Sequence, residues 1–262
     1  MKTYVAEVLG TSGSPVVLIP GGAAPSKTFF PHLERALAPE HRVVLVDRQG
    51  TGRAADLGPA TLPSGSAAYA EVLRELAAGP ALVVGQSLGG AMAVQLATDH
   101  PELVSGLVLI DPTPVNSPAV LRSLPLMTKV LFGPTGWPVV GPPLERFLTR
   151  VSARKVAPGA EAAVEAMVES RTLSLTVRAV ATLAAEGRAL TARLRRLDVP
   201  VVLMTADRKP GHKVRAAHDE LAAALGGRVV TWPQAVHAEH LREPDKVTEL
   251  VQSVLSQVAS PR

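Results

Sequence analysis

Residues 81–100 read Ala-Leu-Val-Val-Gly-Gln-Ser-Leu-Gly-Gly-Ala-Met-Ala-Val-Gln-Leu-Ala-Thr-Asp-His. The run Ala81–Val84 is apolar throughout, as a strand buried on both faces should be. It breaks at Gly85-Gln86-Ser87-Leu88-Gly89 and passes directly into a helical pattern over Leu88–Asp99. A strand that turns this sharply into a helix lifts the central side chain clear of the sheet edge. It does so at the cost of a strained backbone at Ser87. The positions two before and two after Ser87 crowd that turn, which accounts for glycine at both. The helix that follows aims the positive end of its dipole at the Ser87 hydroxyl.

Outward from this turn, the chain alternates strands and helices. Short Val/Leu/Ile-rich runs at Tyr4–Leu9, Val16–Ile19, Val43–Val46, Ala81–Val84, Leu107–Ile110, Val201–Met204 and Val229–Thr231 are expected strands. Helical patterns lie over Ser26–Leu37, Ala67–Ala77, Leu88–Asp99, Lys213–Leu225 and Asp245–Val258. Such alternation implies an α/β fold with a mostly parallel sheet and helices on both faces. One interval is anomalous. About ninety residues separate Ile110 from Val201, whereas a crossover helix with its loops needs only about 10 to 20. This interval carries helical patterns such as Ala160–Ser170 and Leu173–Leu190, with a Pro/Gly-rich stretch from Phe132 to Pro143. It is expected to be an inserted helical unit, residues 113–196, on a core of residues 1–112 and 197–262.

Composition narrows the function classes. The 262 residues include no cysteine, so disulfides, thiolate nucleophiles and cysteine-bound metals are excluded. The net charge is +4, but the arginines are scattered and no basic run is interleaved with aromatics, so nucleic acid is not an expected partner. Arg193-Leu194-Arg195-Arg196 is the one local basic cluster and suits a solvated helix face. No stretch reaches the length of apolar sequence that a membrane span requires. The first residues, Met1-Lys2-Thr3-Tyr4-Val5-Ala6-Glu7, carry an early acid and no apolar core of signal-peptide length. A cytoplasmic location is the resulting expectation.

The chain resembles the α/β-hydrolase fold family, over roughly residues 4–112 and 197–258. The turn at Ser87 carries part of the resemblance. Val17-Leu18-Ile19-Pro20-Gly21-Gly22-Ala23 is similar to the family's strand ending in His-Gly-x, with Pro20 in place of the histidine. Asp47-Arg48-Gln49-Gly50-Thr51-Gly52-Arg53 is similar to its D-x-x-G-x-G-x turn, read as structural, with Asp47 bonding nearby amides. Ala235-Val236-His237 opens a loop with Pro244 seven residues after the histidine, as in the family's last loop. The resemblance implies a serine hydrolase with a helical cap inserted after the sixth strand. Ser87 would be the nucleophile and His237 the general base, with His240 the less favoured alternative. The backbone N–H groups of Gly22 and Leu88 would form the oxyanion hole, or Ala23 would replace Gly22 if the register slips by one.

The orienting acid is implied at the end of a late strand. Asp207 follows Val201–Ala206 and is the expected residue, and Asp111, after Leu107–Ile110, is the alternative. Asp111 precedes a proline and suits a turn equally well. The remaining histidines, His32, His41, His100, His212 and His218, are expected on surfaces. A serine nucleophile implies an acyl-enzyme, hence cleavage of an ester, thioester, lactone or amide, with no metal or organic cofactor. Leu124, Leu126, Met127, Val130, Leu131, Phe132, Trp137 and Phe147 make the inserted unit apolar, which suits a small, largely apolar acyl substrate. The alternatives are the same residues used for C–C bond hydrolysis, perhydrolysis or acyl transfer, or a non-catalytic binding protein on this scaffold.

Overall fold

The computed structural model describes residues 2–152 and 156–259. The ends of the expected core (residues 1 and 260–262) and residues 153–155 of the expected insertion lie outside them. Each apolar run forms a strand: β1 Val5–Leu9, β2 Pro15–Ile19, β3 Arg42–Asp47, β4 Ala81–Gln86, β5 Val104–Ile110, β6 Val201–Met204 and β7 Arg228–Val230. They make one sheet in the order β1-β3-β2-β4-β5-β6-β7. Only β1 runs antiparallel, against β3. Strands β2 and β4 are buried along their whole length, whereas β1 at the edge alternates between exposed and half-buried residues. This is the difference expected between a strand covered on both faces and one that meets water.

Pleating sorts the core into two layers. Val17, Ile19, Val83, Leu107 and Leu203 pack against α2 Leu62–Leu76, α3 Leu88–Asp99 and α9 Lys213–Leu225. Val16, Leu18, Leu45, Val84, Val108 and Met204 point the other way, onto α1 Pro31–Leu37 and α11 Pro244–Ala259.

Between β5 and β6 the described residues contain helices and no strand: α4 Pro118–Phe132, α5 Gly141–Ser152, α6 Glu161–Glu169, α7 Thr172–Ala179 and α8 Leu183–Thr191. The short α10, Glu239–Arg242, comes later, between β7 and α11. The helical segment therefore follows the fifth strand of this sheet rather than the sixth. The Pro/Gly-rich stretch is less irregular than its composition suggests. Pro142 and Pro143 sit in the first turn of α5, where the missing N–H groups have no intrahelical acceptor anyway. The pattern over Leu173–Leu190 resolves into two helices, α7 and α8, rather than one.

Three adjacent strands end side by side, since Gln86 pairs with Ile110 and Ile110 with Met204. The residues that follow them, Ser87, Asp111 and Thr205, are thus delivered to one sheet edge by register alone. A fourth strand end, at β3, is fixed by Asp47. Its carboxylate accepts from Ser26 N–H (2.7 Å), the Ser26 hydroxyl (2.8 Å), Arg53 N–H (3.2 Å) and Arg53 Nε (2.6 Å). Burial alone would raise this carboxyl's pKa, but the bonds from Ser26 and Arg53 outweigh it and leave it lowered. A lowered folded value means stability present above the unfolded Asp range and lost as pH falls through it. We expect Asp47→Asn to cost roughly 1–3 kcal/mol at neutral pH, measured by urea unfolding. The gap to wild type should narrow as pH falls below the ordinary Asp range.

Candidate active site

Ser87 has φ +52° and ψ −118°, a conformation that L residues rarely adopt. Its surroundings enforce it. Its N–H donates to Ile110 O (3.1 Å), and its carbonyl accepts from Gly90 N–H (3.0 Å) and Thr113 N–H (2.8 Å). A Cβ added at Gly89 would run into the carbonyl oxygens of Ile19 and Pro20, and one at Gly85 into the backbone of Gly89 and Gly90. The two glycines therefore allow the turn to close.

His237 lies in the loop between β7 and α10. Its Nδ1 is 2.6 Å from Asp111 Oδ2. A carboxylate only accepts, so Nδ1 carries the proton and donates. Asp207, the expected partner, is elsewhere. Its carboxylate accepts from Gln234 N–H (2.8 Å), its own N–H donates to Ala235 O (2.8 Å), and the residue is exposed. The expected and alternative acids thus exchange places. Asp207 fastens the loop that carries His237, while Asp111 meets the imidazole. Asp111 also has a positive φ, +41°, which turns its side chain off the end of β5.

Arg208, beside Asp207, was not singled out by its sequence context. Its guanidinium grips Asp111 in a fork, Nη1 to Oδ1 at 2.5 Å and Nη2 to Oδ2 at 2.7 Å, and Ala206 N–H adds a bond at 2.9 Å. Burial pushes the Asp111 carboxyl up, yet Arg208 and His237 outweigh it and hold it well below the usual carboxylate range. Behind this pair His218 is buried rather than on a surface. Its Nε2 donates to Pro112 O (2.7 Å) and its Nδ1 accepts from the Thr205 hydroxyl (2.8 Å), which in turn receives Arg208 Nη1 (3.2 Å). Burial lowers the His218 pKa and so favours the neutral ring that this arrangement needs.

The other imidazole nitrogen, Nε2, is 3.3 Å from Gln86 Nε2, and the same amide donates to His237 O at 2.9 Å. The amide nitrogen can only donate, so Nε2 of His237 presents its lone pair. No hydrogen bond joins Ser87 Oγ to that lone pair among the described contacts. In unliganded sites such bonds are commonly long and tighten on binding.

The loop after β2 faces Ser87. Ala23 N–H donates to Thr176 Oγ1 on α7 (2.9 Å), and Ala24 N–H to Gly21 O (3.1 Å). Ala23 is thereby engaged and Gly22 is not displaced in its favour. Gly22 has φ +52°, a Cβ there would meet Thr176 Oγ1 at 2.6 Å, and its carbonyl accepts from the buried Arg48. Leu88 is the first residue of α3, where N–H groups have no intrahelical acceptor.

Gly22, Ser87, Leu88, Asp111 and His237 all line one cavity of about 540 Å³, roofed by the helical segment. The apolar residues expected there divide into two groups. Leu124, Met127, Leu131 and Phe132 line the cavity, while Leu126, Val130, Trp137 and Phe147 face solvent at 58–68% exposure. His240 is buried against the same cavity, its ring 4.7 Å from Phe29 and 4.9 Å from Phe30. Neither of its ring nitrogens has a hydrogen-bond partner among the described residues.

A sequence model of the alpha/beta hydrolase family matches residues 16–250. Among curated relatives, the chain is 37% identical over 103 residues to Lipase LipV of Mycobacterium tuberculosis, covering 39% of each protein. It is 32% identical over 114 residues to a pimeloyl-[acyl-carrier protein] methyl ester esterase of Yersinia enterocolitica, covering 44% of this chain and 42% of that one. The match thus spans about two fifths of the length of these relatives. Among solved structures, the Exiguobacterium antarcticum esterase EaEST superimposes with a TM-score of 0.72 at 22% identity, covering 98% of this chain and 96% of that one.

His240 yields a prediction about stability. Burial, with a smaller contribution from His237, pushes its pKa down to about 3. In the unfolded chain the ring takes up a proton near pH 6.5, but in the folded protein it does not until about pH 3. Folded stability must therefore fall with pH through that window. The stability of wild type relative to His240→Leu should fall on acidification by up to about 1.4 kcal/mol per pH unit, measured by urea unfolding from pH 7 to pH 4. A pH-independent difference would show that the ring charges in place.

Proposed function

The chain belongs to the alpha/beta hydrolase family, and on that footing we propose that it is a serine hydrolase cleaving an ester or related acyl bond of a small, largely apolar substrate. The observation that carries this reading is the 2.6 Å contact between His237 Nδ1 and Asp111, made in the cavity wall that also holds Ser87 on its strained turn. In this reading Ser87 is the nucleophile, His237 the general base and Asp111 the orienting acid. The Gly22 and Leu88 amides receive the developing oxyanion. Residues 113–196 act as a cap that closes the cavity.

Substrate enters with its carbonyl oxygen toward the Gly22 and Leu88 N–H groups. Ser87 Oγ bonds to the carbonyl carbon as its proton passes to His237 Nε2, whose lone pair Gln86 has released. The Asp111 carboxylate steadies the imidazolium. Arg208, by holding both Asp111 oxygens, fixes the carboxylate's plane and keeps it ionised. The tetrahedral oxyanion sits at the two amides and at the N-terminus of α3. Collapse breaks the bond to the leaving alcohol, which takes the proton from Nε2, and leaves an acyl-Ser87 ester. Water then adds to that ester, passing its proton to Nε2, and Ser87 recovers a proton as the acid departs.

The relatives' names support the acyl-bond class: a lipase and a methyl ester esterase. The cavity walls support the apolar substrate. Val120, Leu124, Met127, Leu131, Phe132 and Leu173 surround a space within the usual size range of small-molecule sites.

Turnover of 4-nitrophenyl butyrate tests the assignment. Ser87→Ala should lower kcat by roughly 10³-fold or more. Asp111→Asn should lower it by roughly 10³- to 10⁴-fold in preparations whose circular dichroism matches wild type. Asp207→Asn, whose carboxylate serves only the loop, should retain activity within about tenfold, because a lost hydrogen bond of ordinary strength costs about 1 kcal/mol. Retained activity in Asp111→Asn together with loss in Asp207→Asn would reverse the acid assignment. Full activity in Ser87→Ala would remove the nucleophile.

A further inference from the structure

Helices α4 and α5 and the turn between them expose large apolar side chains. On α4, Leu126 and Val130 are 66% and 68% exposed and lie four residues apart on one helix face. Trp137 and Val139, between the helices, are 58% and 85% exposed, and Phe147 on α5 is 61% exposed. Single exposed apolar residues are ordinary, but five large ones within residues 126–147 mark a segment that meets something other than water.

Two further features identify what it meets. The group runs into the cavity mouth. Met127 and Leu131 line the cavity and yet are half exposed, so the apolar interior reaches the outside beside Leu126 and Val130. The charge on the two helices is also of one sign. Arg122, Lys129, Arg146 and Arg150 lie between residues 118 and 152, and of these Arg150 is already ion-paired with Glu165 of α6 at 2.9 Å, which leaves Arg122, Lys129 and Arg146 for an outside partner. The single acid there, Glu145, is fully buried and ion-paired with Arg171 at 2.9 Å. Arg122 stands four residues before Leu126, on the same stripe. A second copy of this chain would set these cations against their own counterparts. An anionic lipid surface would instead receive the apolar side chains among its acyl chains and the cations among its headgroups, with the exposed indole of Trp137 at the boundary. A lipid-dissolved substrate could then pass into the cavity without crossing water.

We infer that the outer face of α4 and α5, with the Trp137–Val139 turn, docks peripherally on an anionic membrane surface and turns the cavity mouth toward it. No helix among the described residues is long and apolar enough to cross a membrane, so the association would be interfacial. The inference concerns binding and stands apart from the proposed hydrolysis.

Flotation of the full chain with vesicles tests it. The protein should float with vesicles of phosphatidylcholine and phosphatidylglycerol at low salt, weakly with phosphatidylcholine alone, and less with the anionic vesicles at high salt. Arg122→Gln with Lys129→Gln should weaken binding roughly fivefold per charge removed. The combined variant Leu126→Ser, Val130→Ser, Phe147→Ser should lose flotation while keeping wild-type circular dichroism and wild-type hydrolysis of a water-soluble ester. Three results would overturn the inference. The first is no flotation with anionic vesicles, including the case where the chain is instead retained on immobilised polyglutamate, which would make the face a protein-docking surface. The second is flotation undiminished in the apolar variant, which would reduce the effect to charge alone. The third is a dimer in light scattering that the apolar variant abolishes.

Discussion

The Asp111 carboxylate is where the pieces of this molecule meet. It receives hydrogen bonds from Ala206 N–H, from both ends of the Arg208 guanidinium and from His237 Nδ1. Those donors come from the end of β6 and from the loop after β7, so one side chain at the end of β5 binds three successive strand ends. A buried carboxylate without such partners would not stay ionised, and an ionised one without them would be strongly destabilising. The arrangement holds only as a whole. Removing Arg208 would leave a buried charge held only by His237 and the Ala206 N–H. Removing Asp111 would strand the guanidinium beside Thr205 and the buried His218.

Much of this was legible in the sequence because local chemistry determines it. The strand runs, the Ser87 turn and the position of His237 each rest on a few consecutive residues, and helices α3 and α9 have the bounds their patterns imply. The acid was not legible. Two neighbouring strands end in an aspartate or reach one within a few residues, and the choice depends on which way each side chain turns. Asp111 turns toward the imidazole through its positive φ, whereas Asp207 is drawn to Gln234 N–H. Arg208 was passed over and His218 was expected on a surface because their roles exist only across 97 and 106 residues of sequence separation, to Asp111 and to Pro112. In the helical segment the apolar residues gave no inside and outside, since it has no sheet to define one. Leu124 and Leu126 are two residues apart, yet one lines the cavity and the other meets solvent.

The helical segment is more than a roof. Thr176 on α7 accepts the Ala23 N–H and stands where a Gly22 side chain would be, while its own hydroxyl donates back to Thr172 O at 2.6 Å. From the opposite side the buried Arg48 takes the Gly22 carbonyl. The loop after β2 is therefore clamped between the core and the inserted helices. Any displacement of α7 frees Ala23 N–H and alters the backbone beside Ser87, so access to the cavity and the shape of the proposed oxyanion site cannot vary independently.

The His237 side chain is 56% exposed, and an exposed imidazole ordinarily samples several rotamers. This one is tethered at both nitrogens and at its own carbonyl, by Asp111 on one side and Gln86 on the other. Turning the ring over would break both nitrogen contacts at once. Its rotational entropy is thus surrendered when the chain folds rather than when a substrate arrives, and the cost appears in the stability of the free protein instead of in the activation barrier. Gln86, adjacent to Ser87 in sequence, links the two timescales: the residue that keeps the ring still in the idle state is carried on the same turn that presents the hydroxyl.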